Sequence, residues 1–171
     1  MPMTTEQRVL YYLKQRSETS HMDFKLQFYE DCKQSDFAKD VAAFANLCSG
    51  LDKLLIFGVE DRTTAYVGID PTSLPDNETL NNILAELIEP TLRVESGLMC
   101  YKDVVIGYVC IPGKGINPPY LIKETCGKGG KIEQGDIYLR KGTSNKKATR
   151  TDLDNIRRWA AEHGQNLANN T

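Results

Sequence analysis

The chain has 171 residues, 40% apolar and 26% charged, with a formal net charge of −2, a balance that specifies one globular domain rather than a disordered segment. No apolar run approaches the ~18 residues of a membrane span, and the N-terminus lacks a signal-peptide pattern, so neither a membrane nor an export role is expected. Cys32, Cys48, Cys100, Cys110 and Cys126 form an odd set without a CxxC pair, which points to a reducing, cytoplasmic setting and away from disulfides or a cysteine zinc site. With His21 and His163 the only histidines, any metal would have to sit on carboxylates.

Thr4 to Arg16 opens with a Thr-x-x-Gln capping box and carries Val9, Leu10 and Leu13 at helical spacing, which predicts a first helix within an N-terminal segment 1–16. His21 to Tyr29 alternates. Met22, Phe24, Leu26 and Phe28 share one face and Asp23, Lys25 and Gln27 the other, so we expect a strand with its Asp–Lys–Gln side toward solvent. Glu18 precedes Asp23 by five residues, roughly 17 Å along a straight strand. A bend at Thr19–Ser20 would join them.

Lys39 to Asp61 is the centre of the chain. Phe37, Val41, Phe44 and Cys48, flanked by Ala38, Ala42 and Ala45, make one helical face, and Gly50 is expected to end that helix. Leu54 to Val59 reads as a strand buried on both faces that delivers Glu60 and Asp61 to a turn.

Beyond it we expect a return strand at Tyr66–Ile69 and a helix capped by Asp76, with Leu80, Ile83, Leu84, Leu87 and Ile88 inward and Pro90 as its end. A hairpin should join Leu98–Tyr101 to Val104–Ile111 around Lys102–Asp103, with Gly107 marking a bulge. Short strands follow at Tyr120–Lys123 and around Ile137 and Leu139, the second running into a Gly-Thr-Ser turn. Thr151 is expected to cap a last helix with Leu153, Ile156, Trp159 and Ala160 inward, Gly164 as its stop and a frayed polar tail. Neither repeats nor a domain linker interrupt the chain.

Charge is uneven. From Lys114 to Arg150 nine basic residues face three acidic ones, about +6, so the rest of the chain carries about −8. Lys128, Lys131, Arg140, Lys141, Lys146 and Lys147 are the candidate phosphate ligands of this segment, with the hydroxyls of Thr143 and Ser144 beside them. The alternative is a solvated basic hairpin. The GxxxxGK[ST] spacing of a P-loop is absent, which argues against a nucleotide triphosphatase.

Glu18-x4-Asp23-Phe24-Lys25, AFANLCSG from Ala43, LLIFGVED from Leu54, Val67-Gly68-Ile69, Asn117-Pro118-Pro119-Tyr120 and Tyr138-x-Arg140-x-Gly142-Thr143-Ser144 together resemble the Schlafen-type AlbA-like domain, over about residues 17–155 with the helix end and tail at 156–171 outside it. The resemblance implies an α/β fold, a single domain with a mixed sheet and helices packed on it, and nucleic-acid binding to RNA or DNA. In one branch of the family it implies a metal-dependent endoribonuclease acting on structured RNA through three carboxylates. The matching positions are Glu18, Asp23 and Asp61, which would hold Mg²⁺ or Mn²⁺ on hard oxygen ligands and ready a water for attack on a phosphodiester, with Lys25 assisting. That branch joins two such lobes around a groove, so a single lobe implies a homodimer.

Two departures bear on the carboxylates. Asp23 is one methylene shorter than the family's usual glutamate, and Arg62-Thr63 replaces the usual Asp-Gly after the strand. The other readings are that Glu18 is a helix-end surface group, Asp23 a partner of Lys25 or another cation, and Asp61 a turn former. At the level of function the alternatives are a non-catalytic DNA-binding or regulatory module that oligomerises, and a pure protein-interaction domain.

Overall fold

The computed structural model describes residues 1–30, 34–127 and 131–164. Its centre is a mixed sheet of four strands: β1 (Met22–Lys25), β2 (Lys53–Phe57), β4 (Glu95–Tyr101) and β5 (Val104–Ile111), in the order β1-β2-β5-β4. β1 runs parallel to β2, and the other two pairings are antiparallel. Two short ribbons flank it: β3 (Ile88–Glu89) pairs with β6 (Leu121–Ile122), and β7 (Tyr138–Lys141) with β8 (Ser144–Lys147).

Helices cover both faces. α1 (Thr5–Gln15) begins at the expected capping box, in which Thr4 and Gln7 satisfy each other's backbone N–H groups. It buries Val9 and Leu13 against Met22, Phe24, Leu54, Ile56 and Ile106. α2 (Gln34–Ala45) covers the opposite face, where Phe37, Val41 and Phe44 meet Leu55, Phe57, Val109 and Ile111. α3 (Asn77–Leu87), capped by Asp76 as expected, adds Leu80, Leu84 and Leu87 to that core. β2 is buried on both sides because it is the strand between α1 and α2. α4 (Arg150–His163) packs through Ile156, with Gly164 as its C-cap.

Several boundaries differ from the sequence reading, each for a local reason. α2 stops at Ala45 rather than running through Cys48 to Gly50. Asn46 leaves the helix to use its side chain elsewhere: its Nδ2 donates to the carbonyls of Tyr120 and Tyr138, and its Oδ1 accepts from the Tyr120 N–H. A fully buried amide with three bonds to two distant segments outweighs one more helical turn. β1 ends at Lys25, and Leu26, expected inside, is 47% exposed. The return strand shrinks to a single bridge between Val59 and Tyr66. Gly107 makes no bulge and pairs in register with Phe57 and Leu98. Its missing side chain leaves room for Ile69, whose Cδ1 would lie 2.6 Å from a Cβ there. The hairpin turn at Lys102–Asp103 is as expected, with φ of 47° and 66° at its two residues, the pattern that follows the twist of the strands. Thr149, not Thr151, caps α4, because Asp152 completes a capping box with it. The polar tail beyond Gly164 lies outside the described residues.

Candidate nucleic-acid interface

The face of the sheet under α2 carries Asp23 and Lys25 from β1, beside Leu55 and Phe57 of β2. Met22 and Phe24 are inside as expected, but the other face of the strand is covered too. Asp23 is 8% exposed and faces α2 instead of water, its charge met by Lys25 and Arg140, with Asp40 of α2 beside it. Lys25 Nζ lies 3.1 Å from Asp23 and 3.2 Å from Asp40. Arg140 of β7 reaches Asp23 from the other side at 3.4 Å, and its guanidinium lies 4.7 Å from the centre of the Phe44 ring. Asn145 of β8 donates to Asp40 at 2.6 Å, and the Tyr29 hydroxyl donates to the same carboxylate. β1, α2 and the β7–β8 ribbon are therefore locked together by polar contacts.

The expected bend is present. Thr19 and Met22 exchange backbone hydrogen bonds, which folds Glu18 back so that its Oε1 accepts from the Phe24 N–H at 2.9 Å. Glu18 and Asp23 then share one proton. Burial, reinforced by the hydrogen bond with Asp23, pushes Glu18 up to about 8, which places the proton there. Burial opposes ionisation of Asp23, but the bond from Glu18 and the charges of Lys25 and Arg140 outweigh it and hold its carboxyl below the usual range. Lys25 is held above its ordinary value, burial being outweighed by Asp40 and Asp23. With Glu18 protonated, two carboxylates face two cations and the network is neutral.

A three-carboxylate metal site fits these residues poorly. Asp23 is already engaged by two cations, and Glu18 turns an oxygen to the Phe24 N–H. Asp61 sits exposed in the turn after β2, close enough to raise Glu18 but bonded to neither acid. Among the described residues no three of His, Cys, Asp and Glu converge as ligands. Lys25, expected to assist chemistry, is committed to Asp23 and Asp40.

The basic segment divides by strand parity. On β7 the buried residues are Tyr138 and Arg140, so Arg140, expected to meet phosphate, is 3% exposed and acts as an internal tie. Lys141, Thr143, Ser144, Lys146 and Lys147 project outward around the turn, where Gly142 takes φ 62°. Lys141 pairs with Asp152 at 2.7 Å and Lys147 with Asp136 at 3.1 Å, while Lys146 and Arg150 make no ion pair among the described residues. Lys131 holds Asp36 at 2.8 Å, and Lys128 lies outside the described residues.

Sequence reasoning missed Asp40, Tyr29 and Asn145. Asp40 had a readable signal: it stands between Phe37 and Phe44 on the apolar side of α2, and an acid there requires a buried cation. Tyr29 and Asn145 had none, since their roles depend on where α2 and β8 dock. Lys53 was also missed. It is fully buried at the start of β2, its Nζ has no hydrogen-bond partner among the described residues, and burial, only partly offset by Cys48 and Asp52, lowers it to about 8.

Comparisons with known proteins agree with this architecture. The family model described as Schlafen, AlbA_2 matches residues 18–149. Among solved structures, the DIP2311 protein from Corynebacterium diphtheriae is 18% identical with a TM-score of 0.56, the match covering 81% of this chain and 24% of that one. That likeness is one of fold, and this chain spans about a quarter of that protein. The N-terminal domain of a RecG-related protein from Nitrosomonas europaea is 20% identical over 86% of this chain and 95% of its own, with a TM-score of 0.47. None of the curated proteins compared matches the chain. Among the described residues no helix is long and apolar enough to cross a membrane.

Proposed function

This chain belongs to the Schlafen, AlbA_2 family, and from that premise we propose that it is a nucleic-acid-binding domain that grips the phosphate backbone with the β7–β8 hairpin and does so without a divalent metal. The observation that carries the reading is the two-sidedness of that hairpin. Its inner side is fixed to α2 and β1 through Tyr138, Arg140 and Asn145, and its outer side offers Lys141, Thr143, Ser144, Lys146 and Lys147. A rigid base keeps the outer donors in register, which lowers the entropy lost on binding.

The ion pairs of Lys141 and Lys147 do not compete strongly with phosphate. Both lysines are substantially exposed, and such pairs contribute ~0–1 kcal/mol. They can exchange a carboxylate for a phosphate while Thr143 and Ser144 donate hydroxyls to the same oxygens. Contacts of this kind carry no sequence information, so RNA and DNA are both substrates for binding. In this reading the unit is a homodimer, each chain lining one side of a shared groove.

The test is the salt dependence of binding to a short duplex. Lys141→Ala/Lys146→Ala/Lys147→Ala removes three cations and should flatten the slope of log affinity against log salt by about 2.7. The same titration should give two chains per duplex. An unchanged slope would place any nucleic-acid contact elsewhere on the molecule.

A further inference from the structure

Where the C-terminal end of α4 meets the loop after β5 lies a groove of about 310 Å³. Its floor is aromatic. The Trp159 and His163 rings stack at 4.6 Å between centres with 15° between their planes, and the His163 ring is on the exposed side of the pair. Ile116 and the backbone of Gly50 and Gly115 form the opposite wall, and a Cβ at either glycine would meet nothing within 4 Å. Lys114 stands at the rim, exposed and without an ion pair among the described residues. None of the lining residues is acidic, in a chain whose net charge is −2.

We propose that this groove is a second nucleic-acid contact, taking one unstacked base of a single strand against His163 and Trp159 with the adjoining phosphate on Lys114. The proposal rests on the nucleic-acid reading above and adds to it a preference for single-stranded over paired substrate. Three features select this occupant. A flat aromatic floor suits the π-face common to every base, and single-strand binders obtain most of their affinity from such stacking plus a cation for the backbone. The volume is at the small end of the range for small-molecule pockets, right for one ring system and not for a helix or a strand. Among the described lining residues the one Lys, Arg, Asp or Glu is Lys114, whose sign meets phosphate.

Trp159 is the only tryptophan in the chain, so intrinsic fluorescence reads this groove directly. The full-length protein is titrated at low salt with an oligouridylate of about twelve nucleotides, within the usual site size of single-strand binders, and with a duplex of the same length. Mobility shift is followed in parallel. The single strand should quench Trp159 with the same midpoint as its mobility shift, and the duplex should shift without a comparable quench. His163→Ala should weaken the single strand about ten-fold, the loss of one stacked base, and leave the duplex unchanged, which a merely structural role would not do. Lys114→Ala should weaken the single strand and lower its salt slope. A single-strand shift with silent fluorescence overturns the groove while leaving the hairpin reading intact, and no shift with either substrate overturns both. Emission that varies with protein concentration alone would assign the groove to a second copy of the chain. Emission of the free full-length chain that moves with Leu167→Asp would assign it to the chain's own C-terminal residues. Either of these overturns the proposal.

Discussion

Replacing Arg140 by Met is expected to destabilise the fold by about 3 kcal/mol, a large effect for a residue in a segment otherwise rich in exposed lysines. The guanidinium is almost fully buried between Asp23 and the Phe44 ring, so its removal leaves a buried carboxylate with Lys25 as its remaining cation. Breaking one side of a buried pair typically costs ~3–5 kcal/mol. The lower figure applies here because Lys25 remains, because the 3.4 Å contact to Asp23 and the 3.5 Å contact to the Thr19 carbonyl are long, and because Met keeps most of the packing on Phe44. Urea unfolding should show a lower midpoint at an unchanged slope. Asp23→Asn in the Arg140→Met background should recover part of the loss, since the charge left unpaired is then gone. A loss below about 1 kcal/mol, with no coupling between the two positions, would mean that the network does not hold the hairpin to the sheet.

Lys53→Met should act in the opposite direction and stabilise the protein. The wild-type amine is fully buried without a hydrogen-bond partner among the described residues, and its pKa falls from 10.5 to about 8, equivalent to about 3 kcal/mol as an upper bound at neutral pH. A methionine of similar length fills the same space near His21, Cys48 and Asp52 without a charge to desolvate. The pH dependence identifies the cause. Between about 8 and 10.5 the unfolded chain binds a proton that folded Lys53 has released, so Lys53 contributes a rise in stability with pH there, against the fall contributed by Cys48 and Cys110, whose thiols burial raises above 9.0, and the advantage of Lys53→Met over wild type should shrink as pH climbs. Glu18 produces the opposite slope at lower pH. Its folded pKa is raised from 4.5 to about 8, so its stabilising contribution is complete below 4.5 and is lost as pH climbs to about 8. Glu18→Gln, which mimics the protonated acid, should remove that fall. Chemical denaturation of the three proteins from pH 4 to about 10.5 measures both limbs as differences from wild type, and variant-minus-wild-type differences that stay constant with pH would refute the assignments.

The sequence was most legible where one local rule decided the outcome. The Thr4–Gln7 capping box, the Asp76 cap, the Lys102–Asp103 turn and the double-sided burial of β2 all follow from neighbouring residues, and the structure has each of them. It was least legible where a distant partner decided. Alternation in His21–Tyr29 located the strand but put Asp23 on the wet side, because the facing carboxylate of Asp40 and the cation of Arg140 arrive from α2 and β7, 17 and 117 residues further along the chain. For the same reason Asn46 could be seen as part of a motif but not as the clip between two later segments. Arg140 was misread among its neighbours because net charge over a segment does not resolve the period-two alternation of a strand, which sends residues 138 and 140 inward and 139 and 141 outward.

The central claim is that the cationic hairpin binds nucleic acid without a divalent ion, the carboxylates nearby serving to neutralise buried cations. Its most direct measurement is the affinity of the purified chain for labelled transfer RNA and duplex DNA in EDTA and in Mn²⁺ at matched ionic strength, with the same samples examined for fragments. The account predicts equal affinity in the two conditions and intact nucleic acid in both. Binding that requires Mn²⁺, or fragments that form only with Mn²⁺ and disappear in Asp61→Asn, would contradict it and restore the three carboxylates as a metal site.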